Sequence, residues 1–248
     1  MTDSREDRLT RAKGYPYDLP KASYLLFEGK VVTERGYAVN DMAKRTPVLA
    51  YGSNAAPEQL KRKFAKTLGK ELIPVFKVIL PGFDVVYSAR LSRYGAIPAM
   101  LAPSKGTVLE TFVTYLTKRQ LRVMHRTELS KTPSKNAYQF GELRGLNAMI
   151  DRVGVAERLY IYHSLDGGLA RDGGLVAYEE VTAQNRKFLS MPHPEMLAKV
   201  HGKLDGAGDL DDFILRVAGD AQARLAFSAT LRETAIPIRL PRYKKVPV

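Results

Sequence analysis

The sequence predicts an α+β fold: a small, mostly antiparallel β-barrel or sheet core with flanking helices and a helical C-terminal part. Three observations carry this expectation. From Pro47 to Leu116, short apolar or alternating runs follow one another across tight glycine turns, the pattern of an antiparallel sheet that can close on itself. After Tyr178 the apolar spacing changes to a helical period. Between these regimes of pattern, one junction stands out: Val48-Leu49-Ala50-Tyr51-Gly52-Ser53-Asn54 is an apolar run that breaks at a glycine, passes two small polar residues and enters the helix-like Ala55-Ala56-Pro57-Glu58-Gln59-Leu60. The chain is divided accordingly into an N-terminal extension (1–45), a core (46–180), and a helical region with a basic tail packed on that core (181–248).

Taken in order, the extension is polar at first and then offers a strand pair, Tyr24–Phe27 and Lys30–Thr33, around a Glu28-Gly29 hairpin turn. In the core, Leu72 to Leu80 is apolar and β-branched, and Phe83, Val85 and Tyr87 alternate with Asp84, Val86 and Ser88. Ala96–Ala102 and Thr107–Leu116 follow, with Pro81-Gly82 and Ser104-Lys105-Gly106 read as the turns between short strands. Thr117 is placed to cap a helix over Lys118–Glu128. Leu143–Ile150 and Arg158–His163 read as two more strands. Asp166-Gly167-Gly168-Leu169 repeats as Asp172-Gly173-Gly174-Leu175; it lacks the acidic ligands of a calcium loop and reads as two turns in one exposed loop. Helices are expected over Thr182–Leu189, Glu195–His201 and Leu210–Leu231, with an extended tail from Pro237 to Val248.

Composition bounds the chemistry. With 45% hydrophobic and 26% charged residues in 248, a sizeable core is expected. The absence of cysteine excludes disulfides, thiolate metal sites and cysteine nucleophiles. The charged start of the chain lacks the apolar core of a signal peptide, and no run approaches the ~20 apolar residues of a membrane span, so a soluble cytoplasmic protein is expected, with no membrane partner. The net charge of +13 points either to an anionic partner or to a basic exterior. The charges are spread out, with modest clusters at Lys61-Arg62-Lys63 and Arg239–Lys245, and no zinc-finger spacing or aromatic RNA-binding motif accompanies them, which disfavours nucleic acid. The four histidines, His125, His163, His193 and His201, show no metal-ligand spacing, and His193-Pro194 reads as a turn; no metal is expected.

Two places carry candidate chemistry. The Tyr51–Asn54 junction exposes backbone N–H groups at a helix start, a ready site for an anion or oxyanion. Ser53 is not in a Gly-x-Ser-x-Gly elbow, so it reads as a helix cap shared with Asn54 rather than a nucleophile. On the helix after Thr117, Leu121, Met124, His125 and Glu128 share one face, which points the Glu128 carboxylate toward the core, where burial would raise its pKa into the range of a proton shuttle. The alternatives are a solvated glutamate or one paired with an arginine. His125 reads as a core histidine that could also orient Glu128. Arg90 and Arg93, flanking Tyr94, are candidates for binding substrate carboxylates.

Tyr51-Gly52-Ser53-Asn54 after an apolar strand resembles the signature loop of gamma-glutamylcyclotransferase-like proteins. The order that follows fits too: Ala96-Ile97-Pro98-Ala99-Met100-Leu101, then Pro103-Ser104-Lys105-Gly106, then a strand, a short helix and Glu128. The resemblance spans residues 46–165, more weakly beyond. It implies a cofactor-independent enzyme in which a small-molecule gamma-glutamyl substrate cyclises to 5-oxoproline and releases an amine. It assigns Glu128 as general acid/base, the Tyr51–Asn54 loop as the substrate-binding loop, and Tyr138 as a pocket-lining residue. This chain departs from the family pattern in having Ala55-Ala56-Pro57 where a leucine-like residue is usual, and Leu129-Ser130 after the glutamate in place of glycine. A non-catalytic small-anion-binding module on the same fold remains the alternative, with a basic nucleic-acid-associated protein behind it.

Overall fold

The computed structural model describes residues 4–33, 39–66, 72–129, 138–206 and 208–248. Helix α1 (Arg5–Lys13) opens the chain, followed by the hairpin β1 (Tyr24–Phe27) and β2 (Lys30–Val32). Its turn residues Glu28 and Gly29 sit at φ 48° and 74°, the positive angles that a two-residue hairpin turn needs. Then come β3 (Thr46–Ala50), a 3-10 turn (Ser53–Ala55), α2 (Pro57–Phe64), β4 (Ile73–Tyr87), β5 (Ala99–Leu116) and α3 (Lys118–Glu128). The strands β6 (Tyr138–Ile150), β7 (Gly154–Ser164), β8 (Ala170–Arg171), β9 (Gly174–Tyr178), β10 (Ala183–Gln184) and β11 (Leu189–Met191) lead into α4 (His193–Leu204), α5 (Leu210–Gly219) and α6 (Ala221–Glu233). A last strand, β12 (Tyr243–Lys245), pairs with β6.

The α+β barrel expected from the sequence is present. Strands run β5-β3-β7-β6-β4, and β4 pairs back onto β5, so five strands close a ring with no free edge. Within this ring only the β3–β7 contact is parallel, at Val48 and Tyr160. Inside, Val78, Leu80, Val85, Val113, Leu143, Leu159 and Ile161 are fully buried. A second apolar cluster forms where α2 and α3 cover the outside, with Leu60, Phe64 and Met124 packed among Val48, Ala50, Phe112 and Phe140. Thr117 caps α3 as expected: Gln120 N–H donates to its hydroxyl at 3.2 Å, and the Gln120 side-chain oxygen accepts from Thr117 N–H at 2.9 Å.

Four expectations are corrected. Pro81-Gly82 and Ser104-Lys105-Gly106 do not end strands; β4 and β5 continue through them as strands of 15 and 18 residues. A register shift between Pro81 and Phe83, with Gly82 and Gly106 at φ 84° and 86°, bends the pair without unpairing it. Thr182–Leu189 is not a helix but an irregular strap carrying β10, tied down by Arg186, whose guanidinium donates to the buried Asp84 carboxylate at 3.0 and 3.2 Å and to the Val181 carbonyl at 2.6 Å. Leu210–Leu231 is two helices, broken at Asp220, whose carboxylate caps α6 by accepting from Gln222 and Ala223 N–H. His193-Pro194 begins α4, where proline's missing N–H has no partner to lose. The Asp-Gly-Gly repeat also divides: Asp172-Gly173 is the exposed turn of the β8–β9 hairpin, whereas Gly168 is buried and bridges Ser88 and Ile236.

The terminal regions pack inward. Ala12 and Tyr15 from the first residues, and Met196, Phe213 and Leu231 from the helical region, join the same apolar cluster as the barrel interior. Among the described residues no helix is long and apolar enough to cross a membrane.

Candidate functional site

The sequence around Gly52 ends β3 because no ladder partner continues past Ala50, and the chain tightens into a 3-10 turn before Pro57 starts α2. The capping expected of Ser53 and Asn54 is not made: the residue before α2 is Ala56, and no side chain bonds to its first turn. The Asn54 amide is used elsewhere. Its Nδ2 donates to Glu128 Oε1 at 3.2 Å, across from the end of α3.

Glu128 is neither solvated nor paired with an arginine. Lys63, on α2, donates its ammonium to the same Oε1 and also to Asn54 Oδ1, the latter at 2.6 Å. The two charged side chains are 9% and 15% exposed, so this triangle of ammonium, amide and carboxylate sits at the edge of the interior. Lys63 gets there because α2 buries Leu60 and Phe64, and the residue three after Leu60 shares that face.

The carboxylate opens onto a cavity of about 700 Å³, and all six residues singled out by sequence, Tyr51, Gly52, Ser53, Asn54, Glu128 and Tyr138, line it. They do not contribute alike. The Tyr51 hydroxyl donates to the Tyr162 carbonyl at 2.5 Å, which fixes the loop to the barrel wall. Burial pushes the Tyr138 hydroxyl up to about 12, and the Arg90 guanidinium lies 5.2 Å from its ring centre. His125 does not orient Glu128; its Nδ1 is 2.8 Å from the Tyr162 hydroxyl, and its ring meets Phe140 edge-on. Burial lowers its pKa, as expected of a largely enclosed imidazole.

Tyr15 is the residue that sequence reading missed most completely. It comes from the N-terminal extension, is 6% exposed, and its hydroxyl accepts from Ala99 N–H at 3.0 Å and from the Ser53 backbone N–H. A Cβ on Gly52 would lie 2.8 Å from that hydroxyl and 3.0 Å from Ala99 Cβ, so the loop glycine is required by the close approach of Tyr15. One of the three loop N–H groups expected to face a ligand is therefore already engaged.

The walls are cationic. Arg11, Arg62, Lys63, Arg90, Arg93 and Arg224 line the cavity, with Glu128 as its single lining carboxylate. Arg11 and Arg62 stack on Tyr94 and Tyr17, at 4.6 and 4.5 Å from the ring centres. Part of the +13 charge is thus gathered around one concave space, where low-dielectric walls focus a field that attracts anions. Arg90 and Arg93 were legible as candidates; Arg224 was not, since α6 gives no local sign that its first turn faces the barrel.

No model of a known protein family matches this chain, and no curated protein matches it. Among solved structures, the chain is similar to an Arabidopsis thaliana protein determined in solution, with 16% identity and a TM-score of 0.35 over 64% of this chain and 85% of that one. It is also similar to a structure described as a gamma-glutamyl cyclotransferase, with 14% identity and a TM-score of 0.37 over 82% of this chain and 94% of that one.

Proposed function

We propose that this chain is a gamma-glutamylcyclotransferase-like enzyme that closes a gamma-glutamyl amine to 5-oxoproline and releases the amine, with Glu128 as general acid/base and the Tyr51–Asn54 loop as the substrate-binding loop. The observation that carries the reading is the meeting, in one cation-walled cavity, of an acid from the end of α3 and the loop after β3, joined through the Asn54–Glu128 hydrogen bond.

The reaction asks little else of the protein. The substrate's α-amine attacks its own γ-carbonyl, so a C–N bond forms as the bond to the leaving amine breaks. A single proton travels from the attacking nitrogen to the Glu128 carboxylate and on to the departing nitrogen. Nucleophile and electrophile belong to one molecule, and holding it folded removes several kcal/mol of barrier. Backbone N–H groups of Gly52 and Asn54 are the loop donors for the developing oxyanion, each worth about 3 kcal/mol in such a role. Asn54 and Lys63 keep the carboxylate at a fixed place beside them. Tyr138 supplies wall and shape.

The test is Glu128→Gln, assayed by mass spectrometry for 5-oxoproline from a panel of gamma-glutamyl amines. Turnover is expected to fall by about 10²–10⁴-fold while the thermal transition persists; a folded variant that keeps full turnover removes Glu128 from the mechanism. The excess of lining cations over carboxylates also favours a non-catalytic anion-binding module on the same fold. That reading predicts ligand-dependent stabilisation with no product from any member of the panel.

A further inference from the structure

Three of the lining cations form a group of their own. Arg90 and Arg93 stand on the connection between β4 and β5, and Arg224 stands on the first turn of α6. Arg224 donates to the Val217 carbonyl at 2.7 Å, which holds its stem against the end of α5. The three guanidiniums feel one another: desolvation first, then the charges of Arg90 and Arg93, pull the Arg224 pKa down, with Asp220 opposing. Their neutralisation is incomplete. Arg90 lies 3.5 Å from Asp166, a carboxylate that Arg232 also holds at 2.8 Å, and the Arg90 Nη1 atom is buried without a hydrogen bond. Among the described residues neither Arg93 nor Arg224 is in an ion pair.

Glu128 offers these arginines no relief, since Lys63 already pairs with it. Like charges gathered on one wall repel, and fixed planar donors without acceptors are a standing cost unless a ligand supplies acceptors. One carboxylate satisfies at most one bidentate guanidinium fork and part of a second. The group is therefore larger than a single substrate carboxylate requires.

We infer that Arg90, Arg93 and Arg224 form a subsite for a doubly anionic group, two neighbouring carboxylates or one phosphate. On the cyclotransferase reading, on which this step rests, that group belongs to the leaving amine. The substrate class is then a gamma-glutamyl conjugate of an acidic or phosphorylated amine, and neutral or basic leaving amines are poor partners. The α6 contribution makes the helical C-terminal part a specificity element of the cavity.

The experiment has two readouts. In the first, 5-oxoproline release is measured for gamma-glutamyl-glutamate, gamma-glutamyl-phosphoserine, gamma-glutamyl-alanine and gamma-glutamyl-methylamide. The acidic or the phosphorylated conjugate is expected to exceed the methylamide in kcat/KM by at least about a hundredfold, and Arg93→Gln with Arg224→Gln to shrink that ratio about tenfold or more. Which of the two leads identifies carboxylates or phosphate as the group held. In the second, calorimetry follows binding of free glutamate, phosphoserine and glutamine to the full chain, without any turnover. Binding of either anion but not of glutamine, lost in the double variant and weakened by salt, supports the subsite. Turnover of all four conjugates at similar kcat/KM overturns it, as does calorimetry that ranks glutamine with the two acids. Selective anion binding with no product from any conjugate upholds the subsite and removes the cyclotransferase reading alone.

Discussion

Replacing Lys63 by methionine removes one charge and little volume, and its consequence can be worked from the triangle it makes with Asn54 and Glu128. The ammonium is 9% and the carboxylate 15% exposed, so neither extreme of ion-pair energetics applies. An exposed pair contributes at most about 1 kcal/mol. Removing one partner of a fully buried pair costs about 3–5 kcal/mol, because the other charge is stranded. Glu128 borders an open cavity and keeps the Asn54 amide at 3.2 Å, which places Lys63→Met near the lower end, about 3 kcal/mol. For a chain of this size that is a fall in Tm of about 6–12 °C. In the double variant Lys63→Met with Glu128→Gln no charge is stranded, and a coupling of about 2 kcal/mol is expected from the cycle. Thermal and urea unfolding of the four proteins at pH 7 measure it. As a positioning residue Lys63 also predicts a drop in kcat larger than any change in KM. If Lys63→Met unfolds within about 0.5 kcal/mol of the parent and the cycle is additive, the triangle is an exposed contact and the reasoning fails.

Two further outcomes test the frame around the site. His193 is completely buried, its Nε2 accepts from Ile97 N–H at 3.2 Å, and burial holds its pKa down at about 4 against 6.5. The unfolded chain takes up a proton as pH falls through 6.5 while the folded chain does not, so stability drops between pH 6.5 and 4, by up to about 3 kcal/mol, and His193→Gln should flatten that part of the urea-midpoint profile; an unchanged profile contradicts the assignment. Arg186→Leu strands the Asp84 carboxylate, which is 0% exposed, and should cost about 3–5 kcal/mol in urea unfolding; a loss under about 1 kcal/mol would show that the strap is not what neutralises Asp84.

What was legible in the sequence follows from the range of the physics involved. The strand periods, the Glu28-Gly29 turn and the Thr117 cap depend on neighbours within a few residues, and each appears where the pattern put it. Glu128 was legible because its place on the inward side of α3 is set by its own helix. Its partner was not, because Lys63 belongs to another helix, and only the packing of α2 against α3 brings the ammonium within reach. The Pro81-Gly82 and Lys105-Gly106 signals were read as turns because proline and glycine mark chain reversals and bulges alike; a partner strand on the other side decides which. The strap at 182–189 misled for a related reason. Its apolar spacing suits a helix, yet Asp84, buried in β4, needs the Arg186 guanidinium, and that demand fixes the strap's path.

The loop after β3 shows where local reading stops being sufficient. By itself, Tyr51-Gly52-Ser53-Asn54 is a strand end with outward N–H groups, a junction that would accept any small anion. Tyr15 changes its capacity by taking the Ser53 N–H and filling the space beside Gly52, so fewer backbone donors are left for a ligand. Asn54, turned toward Glu128 and Lys63, gives the junction an acid that it does not itself contain. The arginines of the β4–β5 connection and of α6 then supply the positive charge that the narrowed loop cannot. Each step moves discrimination away from the motif and toward residues distant in sequence. A chain with the same four loop residues but without Tyr15 and Arg224 would keep the junction and lose the shape and charge of the cavity around it.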